Sequence, residues 1–193
     1  KNPEKIQTFD DFMKLYYAEV DEAVEADYQD AVKKKATMKD QCYDPYCSLL
    51  IDGCLENGKD MLQGGSECPM HWSVYAYGIG TVADSLCAVK KFIFDEKKIT
   101  MEEMYDALQK NFEGYEEMQA MLLKETPSYG NGIDEVDDIA NDVLSHFNEA
   151  VMDLNKKAKT DKFVSTLFGY FFHIYHGEIA GATPDGRMKG EAF

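Results

Sequence analysis

A nearly continuous apolar run near the C-terminal end constrains the fold of this chain more than any other feature. Phe163–Tyr175 is Phe-Val-Ser-Thr-Leu-Phe-Gly-Tyr-Phe-Phe-His-Ile-Tyr. Runs of this kind are typical of strands in sheets that are buried on both faces and flanked by other strands. Because the remaining sequence offers few strands to pair with it, we predict that Phe163–Tyr175 is one strand of a sheet whose other strands lie mostly outside this chain.

Most of the remaining sequence is predicted to be helical. Thr8 is placed as the N-cap of a helix whose apolar residues recur at helical spacing to about Lys35. Met38 to Pro45 is predicted to be a connector. The glycine-rich stretch Gly64–Gly80 is predicted to be a long loop, serving either close backbone approach to a site or a structural crossover. Further helices are predicted over Ser48–Glu56, Thr81–Phe94, from the Thr100 capping box onward, after Gly114 to Lys124, and from Asp134 to the Lys156-Lys157 pair.

Charge and cysteine content exclude several classes of partner. The formal net charge of −16 repels phosphate backbones and anionic lipids, so we expect neither nucleic acid nor a membrane as a partner. No stretch approaches the roughly 18 apolar residues of a membrane span. The 5 cysteines form no CxxC pair, and reduced thiols in a cytoplasm fit them better than a disulfide framework. We therefore expect a cytoplasmic protein.

The heptapeptide Gly181-Ala182-Thr183-Pro184-Asp185-Gly186-Arg187 predicts a turn. Proline presets φ at one corner, aspartate can accept a hydrogen bond from its own backbone, and glycine tolerates positive φ. Taken alone such a turn is common, and its value lies in the motifs that precede it. These are Ser48-Leu-Leu-Ile-Asp-Gly-Cys-Leu-Glu-Asn-Gly-Lys-Asp60, Gly64-Gly65, Gly80-Thr-Val-Ala-Asp-Ser-Leu-Cys-Ala-Val-Lys-Lys91, Asn111-Phe-Glu-Gly114, Tyr129-Gly-Asn131 and Asp134-Glu-Val-Asp137.

In this order and at these spacings, the set resembles the glycyl radical enzymes, the pyruvate formate-lyase family, from about Phe9 to the end. The resemblance implies an α/β fold: a mostly helical fragment of the family's ten-stranded α/β barrel, with residues 1–193 forming an incomplete part of that barrel domain. It implies a parent enzyme of anaerobic metabolism, with radical acetyl transfer from pyruvate to coenzyme A and release of formate as the default reaction. Related diol dehydratase, choline lyase and arylacetate decarboxylase activities are the alternative.

The family's chemistry requires two loops, and this chain contains a partial match to each. A glycine stores the radical on its α-carbon, and a cysteine in a Gly-Cys-x-Glu loop relays it to the substrate as a thiyl radical. Gly53-Cys54-Leu55-Glu56 has that spelling, but its flanks resemble a later Cys-x-Glu helix of the family. Because cysteines amid the apolar neighbours of a helix are usually packing residues, we expect this of Cys54 and of Cys87. Gly169-Tyr170 ends like the radical loop, yet Leu167-Phe168 precedes it instead of Arg-Val-x. We interpret the chain as lying between the two loops, assign it no catalytic, cofactor-binding or metal residue, and expect it to be inactive alone.

Other motifs favour structural interpretations. His173 and His176 have the spacing of a metal pair, but no clear third ligand accompanies them. Gly78-x-Gly80 lacks the further glycine of a dinucleotide fingerprint. Asp134, Asp137 and Asp138 are better explained by the helix dipole than by calcium.

The resemblance also implies cofactors and partners. The parent's glycyl radical is installed by an S-adenosylmethionine-dependent iron–sulfur activating enzyme, the parent is a homodimer, and its substrate is a small molecule.

Two departures leave the subfamily open. After the pair that corresponds to Gly64-Gly65, relatives tend to carry Tyr-Asn, whereas this chain has Cys68-Pro69 a little further on. Relatives also often contain Gly-Asn-Asp-Asp-Asp, whereas this chain has Gly130-Asn131-Gly132-Ile133-Asp134. A non-enzyme alternative, an acidic helical module that binds another protein, also stays open at this point.

Overall fold

A computed structural model of the chain describes residues 6–68, 71–158, 161–167 and 172–193. In these ranges a two-stranded sheet pairs β1 (His71–Ala76) with β2 (Lys162–Leu167). A 3₁₀ turn covers Met61–Gln63, and a π-helical turn covers Val89–Asp95. The α-helices are α1 (Phe9–Gln41), α2 (Pro45–Ser48), α3 (Cys54–Asn57), α4 (Ile79–Ala88), α5 (Met101–Gln109), α6 (Glu116–Glu125), α7 (Asp134–Lys157) and α8 (Phe172–Ile179). The prediction of a mostly helical α/β chain is confirmed.

Two of the predicted helix starts are confirmed by their caps. Thr100 Oγ1 accepts the backbone N–H of Glu103 at 3.1 Å, and the Glu103 carboxylate accepts the Thr100 N–H at 2.8 Å, which makes a complete capping box. Thr8 and Asp11 exchange the same pair of bonds at the start of α1. The first turn of α7 is acidic and its last turn carries Lys156 and Lys157, so its charges complement the helix dipole.

The described residues divide into two compact units. The first comprises the described residues of Lys1–Tyr17, Ala76–His146 and Leu167–Phe193, and the second comprises those of Ala18–Tyr75 and Phe147–Thr166. Within the first unit, one core cluster joins α4 to α7 and another joins the π-helical turn to α5 and α6. The buried members of the second unit's core are Val24, Ala31, Val74, Val151, Leu154 and Phe163.

The prediction of one strand over Phe163–Tyr175 is wrong in its second half. The strand β2 ends at Leu167, residues 168–171 lie outside the described ranges, and α8 begins at Phe172. A short apolar run does not by its periodicity distinguish a strand from a helix, because nearly every position is apolar whichever period is tested.

Three other boundaries differ from prediction. The helix α1 continues through the predicted connector to Gln41, since Lys, Ala, Met and Gln in that stretch favour helix. The helix predicted over Ser48–Glu56 is wrong over residues 49–53, because α2 ends at Ser48 and α3 begins only at Cys54, after Gly53 with a φ of 91° that no right-handed helix accommodates. The predicted loop Gly64–Gly80 contains β1. The side chains of β1 alternate in burial as those of a strand do, but the glycines on either side of it favour the prediction of a loop.

Candidate functional site

Arg187, at the end of the predicted turn, is buried in the first unit and donates an extensive set of hydrogen bonds. Its side chain is 6% exposed. Its guanidinium nitrogens donate to the carbonyl oxygens of Glu191 at 2.7 Å and Met188 at 3.1 Å, and to those of Gly177 and Gly181. A further bond runs from Nε to Thr183 Oγ1 at 3.2 Å. The fork of donors is therefore used to satisfy backbone acceptors.

The turn itself has the conformation that its residues predict. The Gly186 N–H donates to the Thr183 carbonyl at 3.0 Å, and the Thr183 N–H donates to the Arg187 carbonyl at 2.9 Å. Gly186 has φ of 99°, where glycine is favoured. Asp185 Oδ1 accepts the Thr183 hydroxyl and, at 3.3 Å, the Ser85 hydroxyl. The motif is thus a structural clamp around Arg187.

Two glycines make room for Glu191 and Phe193 to pack beside this clamp. A Cβ added at Gly177 of α8 would lie 2.2 Å from the Glu191 carbonyl oxygen, so only glycine permits that approach. A Cβ added at Gly78 would lie 3.1 Å from the Phe193 ring, which itself stacks 4.6 Å from the Arg187 guanidinium carbon. Gly78 therefore makes room for an aromatic side chain of this chain.

A partly buried carboxylate lies in the same unit. Asp84 Oδ1 accepts the Tyr129 N–H at 2.7 Å and so anchors the loop that carries Gly130 and Gly132. Burial, with a smaller contribution from the negative charge of Asp185, raises the pKa of Asp84 above its usual value. Sequence analysis missed this residue because an aspartate within an amphipathic helix carries no signal of its own.

In the second unit, the Asp60 carboxylate binds several groups of the chain between α1 and β1. We call residues 44–67 the Asp60 segment. One carboxylate oxygen accepts the Asp44 N–H at 2.8 Å and the Ser48 hydroxyl at 2.9 Å, and the other accepts the Leu62 N–H at 2.9 Å. Burial acts to raise the pKa of Asp60, but these hydrogen bonds together hold it below its usual value.

A cavity of about 910 Å³ adjoins this segment within the second unit. The Lys35 ammonium and the Asp161 carboxylate form an ion pair there, and Trp72 Nε1 donates to Asp161 at 3.3 Å. Apolar lining comes from Met38, Ile51, Met61 and Leu62. The predicted loop thus borders a cavity, but the close approach made by Gly65 is to the backbone of Lys59, 2.0 Å from an added Cβ.

The structure places the two partial matches to the radical loops as follows. Cys54 begins α3 and is 3% exposed, so its thiol is closed to a substrate within the second unit. Cys87 is also buried, and burial raises the pKa of its thiol to about 11. The expectation that Cys54 and Cys87 are packing residues is confirmed. Gly169 and Tyr170 lie outside the described residues.

The remaining predicted candidates have structural surroundings. The His176 ring lies 4.5 Å from Tyr77 and within an aromatic group that includes Phe172 and Tyr175, while His173 is exposed. Asp134 and Asp137 occupy the first turn of α7. Across the described ranges, no three His, Cys, Asp or Glu side chains are grouped so as to hold a metal ion. Within the same ranges, no helix is long and apolar enough to cross a membrane.

The model of a protein family described as pyruvate formate lyase-like matches residues 1–177. The chain belongs to this family of glycyl radical enzymes. The predicted resemblance is therefore confirmed, and the Arg187 clamp, the Asp60 segment and the packed Cys54 are features of a pyruvate formate lyase-like chain. Enzymes of this family use a protein-borne glycyl radical.

Similar proteins within the family are dehydratases and lyases. A trans-4-hydroxy-L-proline dehydratase of Clostridioides difficile is 37% identical over 148 residues, which are 75% of this chain and 18% of that protein. An isethionate sulfite-lyase of Bilophila wadsworthia is 34% identical over 152 residues, or 75% of this chain and 17% of that protein. The glycerol-bound B12-independent glycerol dehydratase of Clostridium butyricum matches the whole chain with a TM-score of 0.89 and 33% identity, covering 24% of that enzyme.

This chain therefore spans about a fifth of the length of the curated relatives that it matches. Its mostly helical fold with a small sheet corresponds to a fragment of the glycyl radical enzyme barrel.

Proposed function

We propose that this chain is one segment of a longer glycyl radical enzyme that acts as a dehydratase or related lyase. The observation that carries the proposal is the agreement among similar proteins, since two are named dehydratases and one a sulfite-lyase. Each name describes the elimination of a small leaving group. Acetyl transfer from pyruvate, the default expectation from sequence, is less well supported by these relatives than the alternative reading.

Within such an enzyme the chain's own residues support a structural role. Arg187 binds four backbone carbonyls, Cys54 is sealed by packing, and Asp60 holds a loop. Hydrogen abstraction by a thiyl radical requires the cysteine, the glycyl centre and the substrate to be held together. The described residues supply a scaffold that can fix the path of the chain between the two radical loops, which we place outside it.

The proposal extends to the partners that the family implies. The longer enzyme is a cytoplasmic homodimer that takes a small polar molecule as substrate. It receives its glycyl radical from an S-adenosylmethionine-dependent iron–sulfur activating enzyme. The net charge of −16 supports the absence of nucleic acid and anionic membranes from this list.

The experiment that tests the activity uses the full-length protein, activated anaerobically with its activating enzyme, S-adenosylmethionine and a reductant. It is then offered glycerol, 1,2-propanediol, trans-4-hydroxy-L-proline and isethionate in parallel with pyruvate and coenzyme A. We expect an elimination product, water or sulfite being released, from one member of the first group. Formation of acetyl-coenzyme A and formate instead would contradict the proposal.

A second measurement tests whether the chain alone is inactive. The 193 residues are incubated under the same activating conditions and examined by electron paramagnetic resonance. We expect no glycyl doublet, because effects that depend on a set of residues acting together collapse when one member is missing. A doublet would return Gly169 to consideration, and product formation abolished by Cys54→Ser would do the same for Cys54.

A further inference from the structure

One helical turn of the second unit exposes apolar side chains where a surface turn would expose polar ones. Tyr46, Leu49 and Leu50 are 75%, 59% and 73% exposed. Leu49 continues the right-handed turn of α2, and its N–H donates to the Pro45 carbonyl at 3.1 Å. Residues three and four apart on such a turn share a face. We call these three side chains the Tyr46 face.

The opposite side of the same turn is polar and buried. Ser48 is 8% exposed, and its hydroxyl donates to Asp60 Oδ2 at 2.9 Å and accepts the Met61 N–H at 3.0 Å. The Asp44 carboxylate accepts the Cys47 N–H at 3.0 Å. This polarity is the reverse of that of an ordinary surface helix, whose apolar stripe faces the core.

The Tyr46 face is held in place by a tightly bonded segment. The Asn57 side chain donates to the Gly65 carbonyl at 2.9 Å, and the Glu67 N–H donates to the Asp52 carbonyl at 3.0 Å. The approach of Gly65 to Lys59 leaves no space for a Cβ. The apolar exposure is therefore a property of a defined surface, and grouped exposed apolar side chains mark an interaction site.

We propose that the Tyr46 face docks an apolar segment of the parent polypeptide that lies outside these 193 residues. The inference rests on the proposal that the chain belongs to a longer enzyme. The glycerol dehydratase matches all of this chain, yet the matched part is only 24% of that enzyme, so most of a chain of this fold remains to cover its surfaces. The occupant must be apolar and must offer an acceptor to the Tyr46 hydroxyl, because buried tyrosine hydroxyls find hydrogen-bond partners.

A second copy of the protein fits the Tyr46 face less well. A stable dimer buries about 800 Å² on each partner, which is more than three side chains supply. Association of two molecules also costs translational and rotational freedom, whereas contact within one polypeptide does not incur that cost. A small, well-held apolar surface is thus better matched to packing within the parent.

The test is hydroxyl-radical footprinting of the full-length protein, read by mass spectrometry, with a tryptic digest of the same protein as the fully exposed reference. We expect Tyr46 and Leu50 to be modified about fivefold more slowly in the intact protein, as befits the core of an interface. Modification at the rate of the digest would overturn the proposal. Protection that disappears when the protein is diluted to monomers would assign the face to a second copy and overturn it as well.

Variants of the full-length protein give an independent readout. Leu50→Asp places a charge in the proposed contact and should lower the temperature of thermal unfolding by several degrees, with increased modification of Tyr46. Asp52→Asn, at an exposed neighbouring position, is the matched control and should change neither. If Leu50→Asp leaves both unchanged, the docking contact does not exist.

These outcomes separate the inference from the proposed function. Protection of Tyr46 in a protein that forms no elimination product refutes the proposed activity and leaves the docking surface intact. An active dehydratase or lyase with an unprotected Tyr46 refutes only the docking surface. A reading frame confined to these 193 residues refutes both, and sequencing establishes that before any footprinting.

Discussion

The Arg187 clamp and the Asp60 segment both hold an irregular stretch of backbone in place, but they differ in the side chains that they expose at the surface. Each gathers the backbone of an irregular stretch around one charged side chain, and each depends on a glycine that allows a close approach. Arg187 is itself buried and donates to carbonyls. Asp60 accepts N–H and hydroxyl groups while the outside of its segment displays Tyr46 and Leu50.

A charged residue at the centre of a loop therefore does not by itself indicate which surface of the loop interacts with other groups. The clamp completes its hydrogen bonds and its packing within the first unit. The Asp60 segment completes its hydrogen bonds but leaves apolar side chains in solvent, which is unfavourable unless something covers them. The changes below, beginning with the most severe, test this contrast by local hydrogen exchange in the full-length protein.

Gly65→Ala should damage the Asp60 segment most severely. The added Cβ would lie 2.0 Å from the Lys59 carbonyl oxygen, and backbone must move to relieve that contact. We expect a loss of more than about 4 kcal/mol in local opening free energy. Gly58→Ala is the control, since its φ is 58° but nothing lies within 4 Å of an added Cβ, and it should lose only about 1 kcal/mol. Equal effects would show that the close approach is not what holds the segment.

Arg187→Met should open the clamp while leaving the Asp60 segment unchanged. The substitution retains much of the apolar stem but removes the guanidinium donors from the carbonyls of Gly177, Gly181 and Glu191. The Met188 carbonyl still accepts the Glu191 N–H. We expect a loss of about 3 kcal/mol in peptides covering 177–193. Arg187→Lys should recover little of it, because an ammonium lacks the planar fork that reaches several acceptors. Full recovery by lysine would mean that charge alone matters.

Acid should affect the two regions in opposite directions. The pKa of Asp60 is lowered in the folded protein, so its contribution to stability is present above 3.8 and is lost as pH falls through the folded pKa. The pKa of Asp84, near the clamp, is raised, so its contribution is present below 3.8 and is lost as pH rises through the folded pKa. Below pH 4 the Asp60 segment should exchange faster relative to the Asp84-anchored loop.

Asparagine variants check the assignment of these titrations. Asp84→Asn keeps an acceptor for the Tyr129 N–H and should abolish the pH response of its loop, with a stability change of less than about 1 kcal/mol at neutral pH. Asp60→Asn should abolish the acid response of its own segment. A pH response that survives either substitution belongs to another group.

Thr100→Ala has a small effect and provides the scale for an ordinary helix cap outside both regions. It removes the acceptor of the Glu103 N–H and should cost about 1 kcal/mol in the exchange of α5. Thr37→Ala is the matched control, because the Thr37 hydroxyl donates to the Lys33 carbonyl within α1 and caps no helix start. A Thr37→Ala effect as large as that of Thr100→Ala would contradict the role of the cap.

Local chemistry made much of the fold predictable, and long-range contact limited the rest. The caps at Thr8 and Thr100, the charge polarity of α7 and the turn before Arg187 were predictable because each depends on residues at most a few positions apart. The strand β1 was missed, and Phe163–Tyr175 was only half correct, because strand formation depends on a distant partner. In the candidate site, too, features set by neighbouring residues were predictable and features set by distant residues were not. The buried placement of Cys54 was expected from its apolar neighbours, but Asp84 and the Lys35–Asp161 pair depend on residues far apart in the chain.

By itself, the sequence determined the family, the mostly helical character and the conformation of the Gly181–Arg187 turn. Short-range hydrogen bonds and glycine's tolerance of positive φ suffice for such features, and they are written in adjacent residues. Long-range packing was needed to establish that Arg187 is a buried clamp, that β1 pairs with β2, and that α2 turns its polar side inward and the Tyr46 face outward. Those outcomes depend on which distant groups become neighbours, and burial then determines what each side chain contributes.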